Sequence, residues 1–299
     1  MKAFDFYSAK DTNHAIALLT EHSAASKVKV LAGGTDLLAD WKHGPHGPDV
    51  VVDISRLDDL KNITMTDKGL VIGALVTHTK IMRSPIIRQL LPALCEAAHT
   101  IGAVQTRNLG TLGGNLVTAV PSMDSGPTLI ALEAELGIVG PEGRKQVALK
   151  DFYIGPRKTI LKPNELLSEI IIPKQNVGKP AHFWKFGLRK GQALSLVNVA
   201  SAFWVDWDKN TFVAPRIGLG AVGPTLIRAV KAEAYLEGRT ITPEAMAEAG
   251  QIAIGDAKPI SDFRASADYR RHLVGVLTKR TLEHAYALAK EKRSEKSNG

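Results

Sequence analysis

The sequence predicts an α+β protein of two domains. Three observations favour this class: short apolar strands arranged as hairpins, helices with recognisable caps, and a polar segment at residues 174–180 whose glycine and proline are typical of a linker. We expect a first domain at residues 1–176, divided at about residue 56, and a second α+β domain at residues 177–290. Residues 291–299 mix charges and end in Ser-Asn-Gly, which predicts a flexible tail.

The first subdomain, residues 1–56, has the pattern of a small βαβ-like unit. A helix is predicted at residues 11–22, where polar capping candidates precede an apolar face. A strand at residues 27–31 runs into a glycine turn, and the apolar run at residues 49–54 predicts a buried strand.

The second subdomain, residues 57–176, combines hairpins and helices. Strands at residues 63–66 and 70–72 flank Asp67-Lys68-Gly69, which is a hairpin signal. The remaining elements are helices at residues 77–83, 84–99 and 127–132, a hairpin of residues 134–139 and 146–149, and a last strand at residues 165–172. Pro85 suits the first turn of the second of these helices.

The C-terminal domain is predicted to be a three-stranded sheet with helices. The strands are expected around residues 181–188, 196–205 and 211–219. Thr242 has the character of a helix cap and Pro243 that of a first helical residue, which predicts a helix through Ile254. An amphipathic helix fits residues 266–291.

Composition excludes several classes of protein. The 299 residues are 44% hydrophobic and 23% charged, which is ordinary for a globular protein, and no apolar run approaches the roughly 20 residues of a membrane span. The N-terminus lacks a signal-peptide pattern, so the cytoplasm is the expected compartment. The net charge is +8, yet no basic stripe carries interleaved aromatic residues, so we expect no nucleic-acid partner.

Cysteine and histidine usage argues against a metal on this chain. Cys95 is the only cysteine, so the chain can build neither an internal disulfide nor a four-cysteine iron–sulfur or zinc site. The nine histidines lack metal-ligand spacing, and no Ser/His/Asp triad or acid–base dyad is visible. We therefore predict no metal site and no catalytic residues.

Two glycine-rich segments about eighty residues apart are the strongest functional signal. The first reads Val-Leu-Ala-Gly-Gly-Thr-Asp-Leu-Leu at residues 30–38, and the second reads Arg-Asn-Leu-Gly-Thr-Leu-Gly-Gly-Asn-Leu at residues 107–116. Glycine leaves backbone N–H groups uncovered and permits positive φ, so each segment can form a nest for phosphate oxygens. Two facing nests can hold both phosphates of a dinucleotide. The alternative is two tight surface turns.

A third glycine pattern is interpreted differently. Residues 218–223 match the G-x-G-x-x-G fingerprint of dinucleotide-binding Rossmann units, and Glu237 lies at a suitable distance. Pro224 and Thr225 follow the third glycine where the fingerprint requires a helix. We therefore predict a strand end and a turn there.

The two glycine segments resemble those of the FAD-binding (medium) subunits of the molybdenum hydroxylases, which include carbon monoxide and bacterial xanthine dehydrogenases. Three further segments are similar to the family: Pro-Ser-Met-Asp at residues 121–124, Asn-Glu-Leu-Leu at residues 164–167 leading to Ile172-Pro173, and residues 263–271. The resemblance covers the chain to about Ala287. It implies the vanillyl-alcohol-oxidase-type flavin fold, two α+β subdomains with FAD between them, followed by a C-terminal α+β domain.

The resemblance also implies which residues bind FAD. The first diphosphate loop would comprise Val30, Leu31, Ala32, Gly33, Gly34, Thr35, Asp36 and Leu37, and the second Thr111, Leu112, Gly113, Gly114 and Asn115. Asp124 would bind ribityl or ribose hydroxyls, and Leu167 and Lys185 would lie by the isoalloxazine or its edge.

Structural roles stay open as alternatives at four of these positions. Asp36 can cap a turn, Asn115 can occupy a left-handed backbone position, Asp124 can cap a helix, and Lys185 can be a solvated strand residue. Whether His78, Ser168 or Gln192 touches the flavin is also open.

The function implied by the resemblance is electron transfer. A large subunit would oxidise the substrate at a molybdopterin cofactor, and two [2Fe–2S] clusters on a small subunit would pass electrons to the FAD of this chain, which hands them to NAD⁺ or another acceptor. The assembly would be a dimer of heterotrimers. One alternative is a self-sufficient FAD-dependent oxidoreductase acting on its own small substrate. Another is a non-catalytic basic scaffold or nucleic-acid binder that uses the glycines only as turns.

Overall fold

The computed structural model describes residues 3–43 and 47–297. The first subdomain is a parallel sheet of order β1-β3-β2. Its elements are β1 (Asp5–Ser8), α1 (Thr12–His22), β2 (Val28–Leu31), α2 (Leu37–His43) and β3 (Val50–Asp53). The Asp11 carboxylate caps α1 by accepting a hydrogen bond from His14 N at 2.7 Å. Strand β1 is an addition to the predicted elements.

The second subdomain is built on an antiparallel sheet of order β4-β5-β10-β6-β7. In chain order its elements are β4 (Ile63–Thr66), β5 (Gly69–Gly73), α3 (His78–Arg83), α4 (Pro85–Leu90), α5 (Pro92–Thr100), α6 (Val104–Leu109), α7 (Leu112–Thr118), α8 (Ser125–Ala131), β6 (Glu135–Gly140), β7 (Gly143–Ala148), β8 (Tyr153–Gly155), β9 (Lys158–Thr159) and β10 (Leu166–Pro173). Both predicted hairpins are present.

Two helical predictions differ from the structure. The helix expected at residues 84–99 is divided into α4 and α5 because Pro92 has no N–H group and disfavours helical geometry at Leu91, whose φ and ψ are −133° and 53°. The second glycine segment, expected to be a turn, spans the end of α6 and most of α7.

The C-terminal domain is an antiparallel sheet with three helices. Its elements are β11 (Ala181–Gly187), β12 (Ser195–Asp206), β13 (Thr211–Gly220), β14 (Ile227–Arg228), α9 (Val230–Leu236), α10 (Pro243–Ile254) and α11 (Ala267–Ser297). The three predicted strands are present, and the two-residue β14 is a fourth. Thr242 caps α10 as predicted, because its hydroxyl accepts a hydrogen bond from Ala245 N at 3.1 Å.

Helix α11 extends past residue 291, where the sequence predicts a flexible tail. It continues to Ser297, and Lys292 Nζ donates a hydrogen bond to the carbonyl oxygen of Gly178 at 3.1 Å. The described part of this segment is therefore helical, and residues 298–299 lie outside the described residues. Among the described helices, none combines the length and the apolar composition needed to cross a bilayer.

The third glycine pattern, at residues 218–223, serves packing. Gly218 and Gly220 lie in β13, and a Cβ on Gly218 would stand 2.3 Å from the carbonyl oxygen of Pro127. The interpretation as a strand end and a turn is confirmed, because β13 ends at Gly220 and residues 221–225 are bends that lead into β14, with no helix opening after Gly223.

The sheet of the second domain joins the two domains. Phe183 and Ala200 belong to the core of the second subdomain, while Val199 and Phe203 belong to the core under α10 and α11. Because side chains alternate along a strand, Lys185 shares the face of Phe183 and points toward the first domain.

Candidate cofactor-binding site

A cleft of about 430 Å³ opens between the two subdomains of the first domain. Its walls come from the loop between β2 and α2, the residues after β5, the start of α3, helix α7 and the loop before α8. Residues 192–194, between β11 and β12, add a wall from the C-terminal domain. Both glycine-rich segments therefore face one cavity.

The two glycine segments contact each other directly. A Cβ atom built on Gly33 would lie 1.9 Å from the carbonyl oxygen of Leu109, and one on Gly110 would lie 3.5 Å from Thr35 Oγ1. Only hydrogen fits at Gly33 without a backbone shift. Two segments far apart in sequence thus form one continuous wall of the cleft.

The first glycine segment presents a run of backbone donors. The N–H groups of residues 33–37 make no hydrogen bond to any residue that the structure describes, and Leu38 N is the first to do so, at 3.0 Å from Gly34 O. Gly34 has φ of +72°, the left-handed conformation that glycine adopts without strain. Consecutive N–H groups in such a turn form a concave anion site.

The second glycine segment uses its donors within the protein. Leu112 N bonds Val76 O at 2.9 Å, Gly113 N bonds Ala74 O at 2.8 Å, and Gly114 N bonds Thr111 Oγ1 at 3.0 Å. Asn115 N bonds Thr111 O at 3.0 Å. The segment therefore offers the cleft a small, smooth surface and no free amide among residues 112–115.

Gly113 and Asn115 have structural contacts. A Cβ on Gly113 would lie 2.6 Å from Ala74 Cβ, so this glycine allows α7 to pack against the residues that follow β5. Asn115 is helical, which excludes the left-handed alternative, and its Oδ1 accepts a hydrogen bond from Ser125 Oγ at 2.6 Å.

Asp124 is the centre of a buried polar network at the base of the cleft. Its Oδ1 accepts hydrogen bonds from Ser195 Oγ at 2.6 Å and from Asn198 Nδ2 at 2.9 Å, and its Oδ2 lies 2.6 Å from Lys185 Nζ. Burial raises the pKa of Asp124 above its usual value, and the three donors oppose that shift. The carboxylate makes no capping hydrogen bond to α8, so the alternative of a helix cap is wrong.

Lys185 joins the two domains from β11. Its ammonium group bonds the carboxylate of Asp124 and donates to the carbonyl oxygen of Thr100 at 3.1 Å, and its side chain is only 9% exposed. The alternative of a solvated strand residue is therefore wrong. Lys185 supports the cleft from behind Asp124 and is not part of the cleft wall.

Asp36 lies at the mouth of the cleft. Its carboxylate accepts no hydrogen bond from a described residue, so it caps no turn there. Partial desolvation and the neighbouring Asp40 carboxylate raise its pKa, and Arg157 acts in the opposite direction.

Most of the sequence-predicted site residues line this one cleft. They are Val30, Ala32, Gly33, Gly34, Thr35, Asp36, Leu37, Thr111, Gly113, Gly114, Asn115, Asp124 and Leu167. Leu31, Leu112 and Lys185 do not line it: Leu31 belongs to strand β2, Leu112 is completely buried in the core, and Lys185 lies behind Asp124.

Of the three positions whose contact with the flavin the sequence left open, two line the cleft and one does not. Ser168 is buried and donates its hydroxyl to Gly137 O at 3.0 Å, away from the cleft, whereas Gln192 and His78 line the cleft. Sequence reasoning missed other wall residues, among them Gly102, Thr106 and Ser122. Gly102 lies in the connection between α5 and α6 and Thr106 lies in α6, where no motif marks them. Ser122 belongs to the Pro-Ser-Met-Asp segment, which was a signal for it.

Comparison with known proteins assigns the family. The family model described as the FAD binding domain in molybdopterin dehydrogenase matches residues 2–175, and that of the CO dehydrogenase flavoprotein C-terminal domain matches residues 182–285. The chain belongs to the FAD-binding subunits of the molybdenum hydroxylases. The resemblance inferred from the glycine segments is thereby confirmed.

Individual relatives agree along nearly their whole length. The carbon monoxide dehydrogenase medium chain of Hydrogenophaga pseudoflava is 34% identical, covering 95% of this chain and 97% of the relative. A putative xanthine dehydrogenase FAD-binding subunit of Escherichia coli is also 34% identical, covering 96% of this chain and 98% of the relative. The nicotinate dehydrogenase FAD-subunit of Eubacterium barkeri is 32% identical, covering 93% of this chain and 95% of the relative.

Solved structures give the same result. A carbon monoxide dehydrogenase from Hydrogenophaga pseudoflava, lacking the Mo-pyranopterin moiety of its cofactor, superposes with a TM-score of 0.90 at 34% identity, over 96% of this chain and 98% of that chain. Quinoline 2-oxidoreductase from Pseudomonas putida 86 superposes with a TM-score of 0.89 at 28% identity, over 97% and 99%. The FAD-binding α+β fold with its C-terminal domain is confirmed, and the subunit is that of an oxidoreductase.

The donor set of the cleft fits FAD. A diphosphate needs several donors within a small concave space, and residues 33–37 line the cleft with amides that have no partner among the described residues. Apolar wall residues such as Val30, Leu161 and Leu167 suit an aromatic ring system.

Proposed function

We propose that this subunit holds FAD in the cleft and relays electrons from [2Fe–2S] clusters of a partner subunit to NAD⁺ or another acceptor. The observation that carries the proposal is the run of unpaired amides at residues 33–37, which faces the cleft. It rests on the family to which the chain belongs and on the names of its relatives, which are FAD subunits of dehydrogenases.

The first glycine segment binds the diphosphate of FAD in this proposal. Its amides donate to the phosphate oxygens, and Thr35 adds a hydroxyl that makes no hydrogen bond to a described residue. Thr111, Gly113, Gly114 and Asn115 shape the adjoining wall. Gly114 is less tightly packed than Gly113, because a Cβ on Gly114 would meet only one atom within 4 Å, Thr111 Oγ1 at 2.8 Å.

Asp124 and Leu167 hold the remainder of the cofactor. A carboxylate offers about four lone-pair sites, and Asp124 already accepts three hydrogen bonds, so one site remains for a ribityl hydroxyl. Leu167 provides an apolar contact for the ring, while Lys185 positions Asp124. Bound FAD exchanges electrons singly or as a hydride, and the protein contributes binding, orientation and exclusion of water.

The other redox groups belong to partners in this proposal. One cysteine in the whole sequence cannot ligate an iron–sulfur cluster. We propose a small subunit with two [2Fe–2S] clusters, a large subunit with the molybdopterin cofactor, a dimer of heterotrimers as the assembly, and the cytoplasm as the compartment.

Co-purification tests this function. The tagged chain, co-expressed with its native partners, should show flavin absorption bands near roughly 370 and 450 nm and contain molybdenum and iron. Anaerobic NADH should bleach the 450 nm band and reduce the [2Fe–2S] clusters, which electron paramagnetic resonance detects. A colourless chain refutes the cofactor assignment. A flavoprotein that oxidises its own substrate without molybdenum and iron supports the self-sufficient oxidoreductase instead.

A further inference from the structure

His78 is the buried imidazole between the two glycine segments. It is the first residue of α3, is 2% exposed and lines the cleft. Its backbone N–H donates to Gly110 O at 3.1 Å, and its Cδ2 atom lies 3.4 Å from the point where a Cβ of Gly110 would stand. That same point is 3.5 Å from Thr35 Oγ1, so His78 adjoins both glycine segments.

The position of His78 is set by its neighbours. Thr77 caps α3 by accepting a hydrogen bond from Lys80 N at 3.2 Å, and Thr77 forms an isolated β-bridge with Thr111. The start of α3 is thereby attached to the second glycine segment. The backbone of His78 is consequently held beside the second glycine segment.

The imidazole lacks a hydrogen-bond partner among the described residues. Its Nδ1 is buried without a hydrogen bond, and Nε2 makes none to any described residue. A buried polar group without a partner costs free energy, so native proteins retain one chiefly where something else completes it. Burial and the nearby Arg107 lower the pKa of His78 to about 4, so the ring is neutral at physiological pH and carries one N–H donor.

The amides of residues 112–115 all donate within the protein, so side chains are a needed source of further donors on that part of the cleft wall. His78 is the deeply buried side chain there with an unused ring N–H. We propose that His78 donates a hydrogen bond to the cofactor diphosphate, beside the amides of residues 33–37. This inference rests on the proposed function, because it takes FAD to be the ligand of the cleft.

A neutral donor has a chemical consequence. An oxygen of the diphosphate that is bound by amides and an uncharged imidazole keeps its negative charge without a proton being exchanged with the protein. The Nε2 atom is the expected donor, because Nδ1 is covered by protein and finds no acceptor there. Glutamine places an amide nitrogen near the position of Nε2, so it should replace histidine better than phenylalanine does.

The test measures affinity and does not depend on turnover. After removal of bound flavin from the full-length chain, the Kd for FAD is measured by fluorescence quenching, with ADP as a competitor that contains the diphosphate and lacks the flavin. His78→Phe should weaken FAD and ADP alike, by about 10- to 100-fold, the range for a lost hydrogen bond to a charged group. His78→Gln should recover most of the affinity. His99→Phe, an exposed histidine in α5, is the matched control and should bind like the wild type.

Each other outcome has a definite meaning. A folded His78→Phe protein with wild-type FAD affinity overturns the inference while leaving the proposed function intact. Weaker binding of FAD with unchanged binding of ADP also overturns the inference, because His78 then contacts the ribityl chain or the ring of the flavin and not the diphosphate. If His78→Phe does not fold, His78→Met, which is flexible and has no N–H donor, takes its place: binding of FAD and ADP weakened by about 10-fold supports the inference, and wild-type affinity overturns it. A wild-type chain that binds neither FAD nor ADP refutes the proposed function itself.

Discussion

The two glycine-rich segments are alike in sequence and differ in the use of their backbone amides. The amides of residues 33–37 have no partner among the described residues, whereas those of residues 112–115 all donate to oxygens of the chain. The first pair of glycines precedes helix α2, and the second lies inside α7. A glycine pair therefore contributes ligand donors only where the surrounding backbone leaves them free.

Close packing is common to both segments. Gly33 abuts the Leu109 carbonyl and Gly113 abuts Ala74, so each needs a missing side chain for contact with another part of the fold. The difference is that loss of packing at the first segment also displaces ligand donors. Substitutions can separate these two effects.

Gly33→Ala should have the largest effect. The new Cβ would collide with the Leu109 carbonyl at 1.9 Å, which separates the segments and costs more than about 3 kcal/mol of unfolding free energy. We expect the purified subunit to lose its flavin, measured as the ratio of 450 nm to 280 nm absorbance, and to unfold at a lower temperature. Gly155→Ala, where a Cβ meets nothing within 4 Å, is the control. Retention of flavin and wild-type stability in Gly33→Ala would contradict the described contact.

Gly113→Ala should mainly reduce stability. Its Cβ would meet Ala74 at 2.6 Å, and such overpacking costs about 2 kcal/mol. Denaturant unfolding should show this loss, while the folded fraction binds FAD within a few-fold of the wild type. If FAD affinity instead falls at unchanged stability, the second segment supplies donors and the contrast between the segments is wrong.

The pH dependence of stability should report on His78, which lies between the segments. Its pKa falls from the ordinary 6.5 to about 4 on folding, so below pH 6.5 the unfolded chain binds a proton that the folded chain does not. Stability is therefore lost as the pH falls from 6.5 toward 4, by about 2 kcal/mol at pH ~5 relative to pH ~7.5. Urea unfolding of the flavin-free subunit at both pH values should show this loss, and His78→Gln should lack it. Equal pH dependence in the two proteins would show that His78 is not responsible.

Substitution of Thr35 or Thr111 should give the smallest effects: the Thr111 variant should mainly lose stability, and the Thr35 variant should mainly lose affinity for FAD. Thr111→Val removes the cap of α7 and should cost about 1 kcal/mol of unfolding free energy with FAD affinity nearly unchanged. Thr35→Val should leave the unfolding free energy within about 0.5 kcal/mol of the wild type and weaken FAD binding by roughly fivefold, because the Thr35 hydroxyl has no hydrogen-bond partner among the described residues. Calorimetry and fluorescence titration of both variants make the comparison. A reversed pattern would exchange the roles assigned to the two segments.

Local signals in the sequence were sufficient for the α+β class, both hairpins of the first domain and the capped start of α10. A hairpin depends on turn residues and alternation over about ten positions, and a cap depends on residues three apart, so both are visible in the chain itself. The family was likewise evident, because the glycine segments and the Pro-Ser-Met-Asp segment resemble those of the family, whose model matches residues 2–175.

Long-range contacts decided the features that the sequence left open or misassigned. Whether Gly113 N faces a ligand or Ala74 O, whether Lys185 meets water or Asp124, and whether His78 is exposed or buried each depends on an element distant along the chain. A hydrogen-bond donor is the same in sequence whether it is used or free. Its partner is chosen only when the strands and helices pack, because burial makes an unmet donor costly and thereby selects the arrangement.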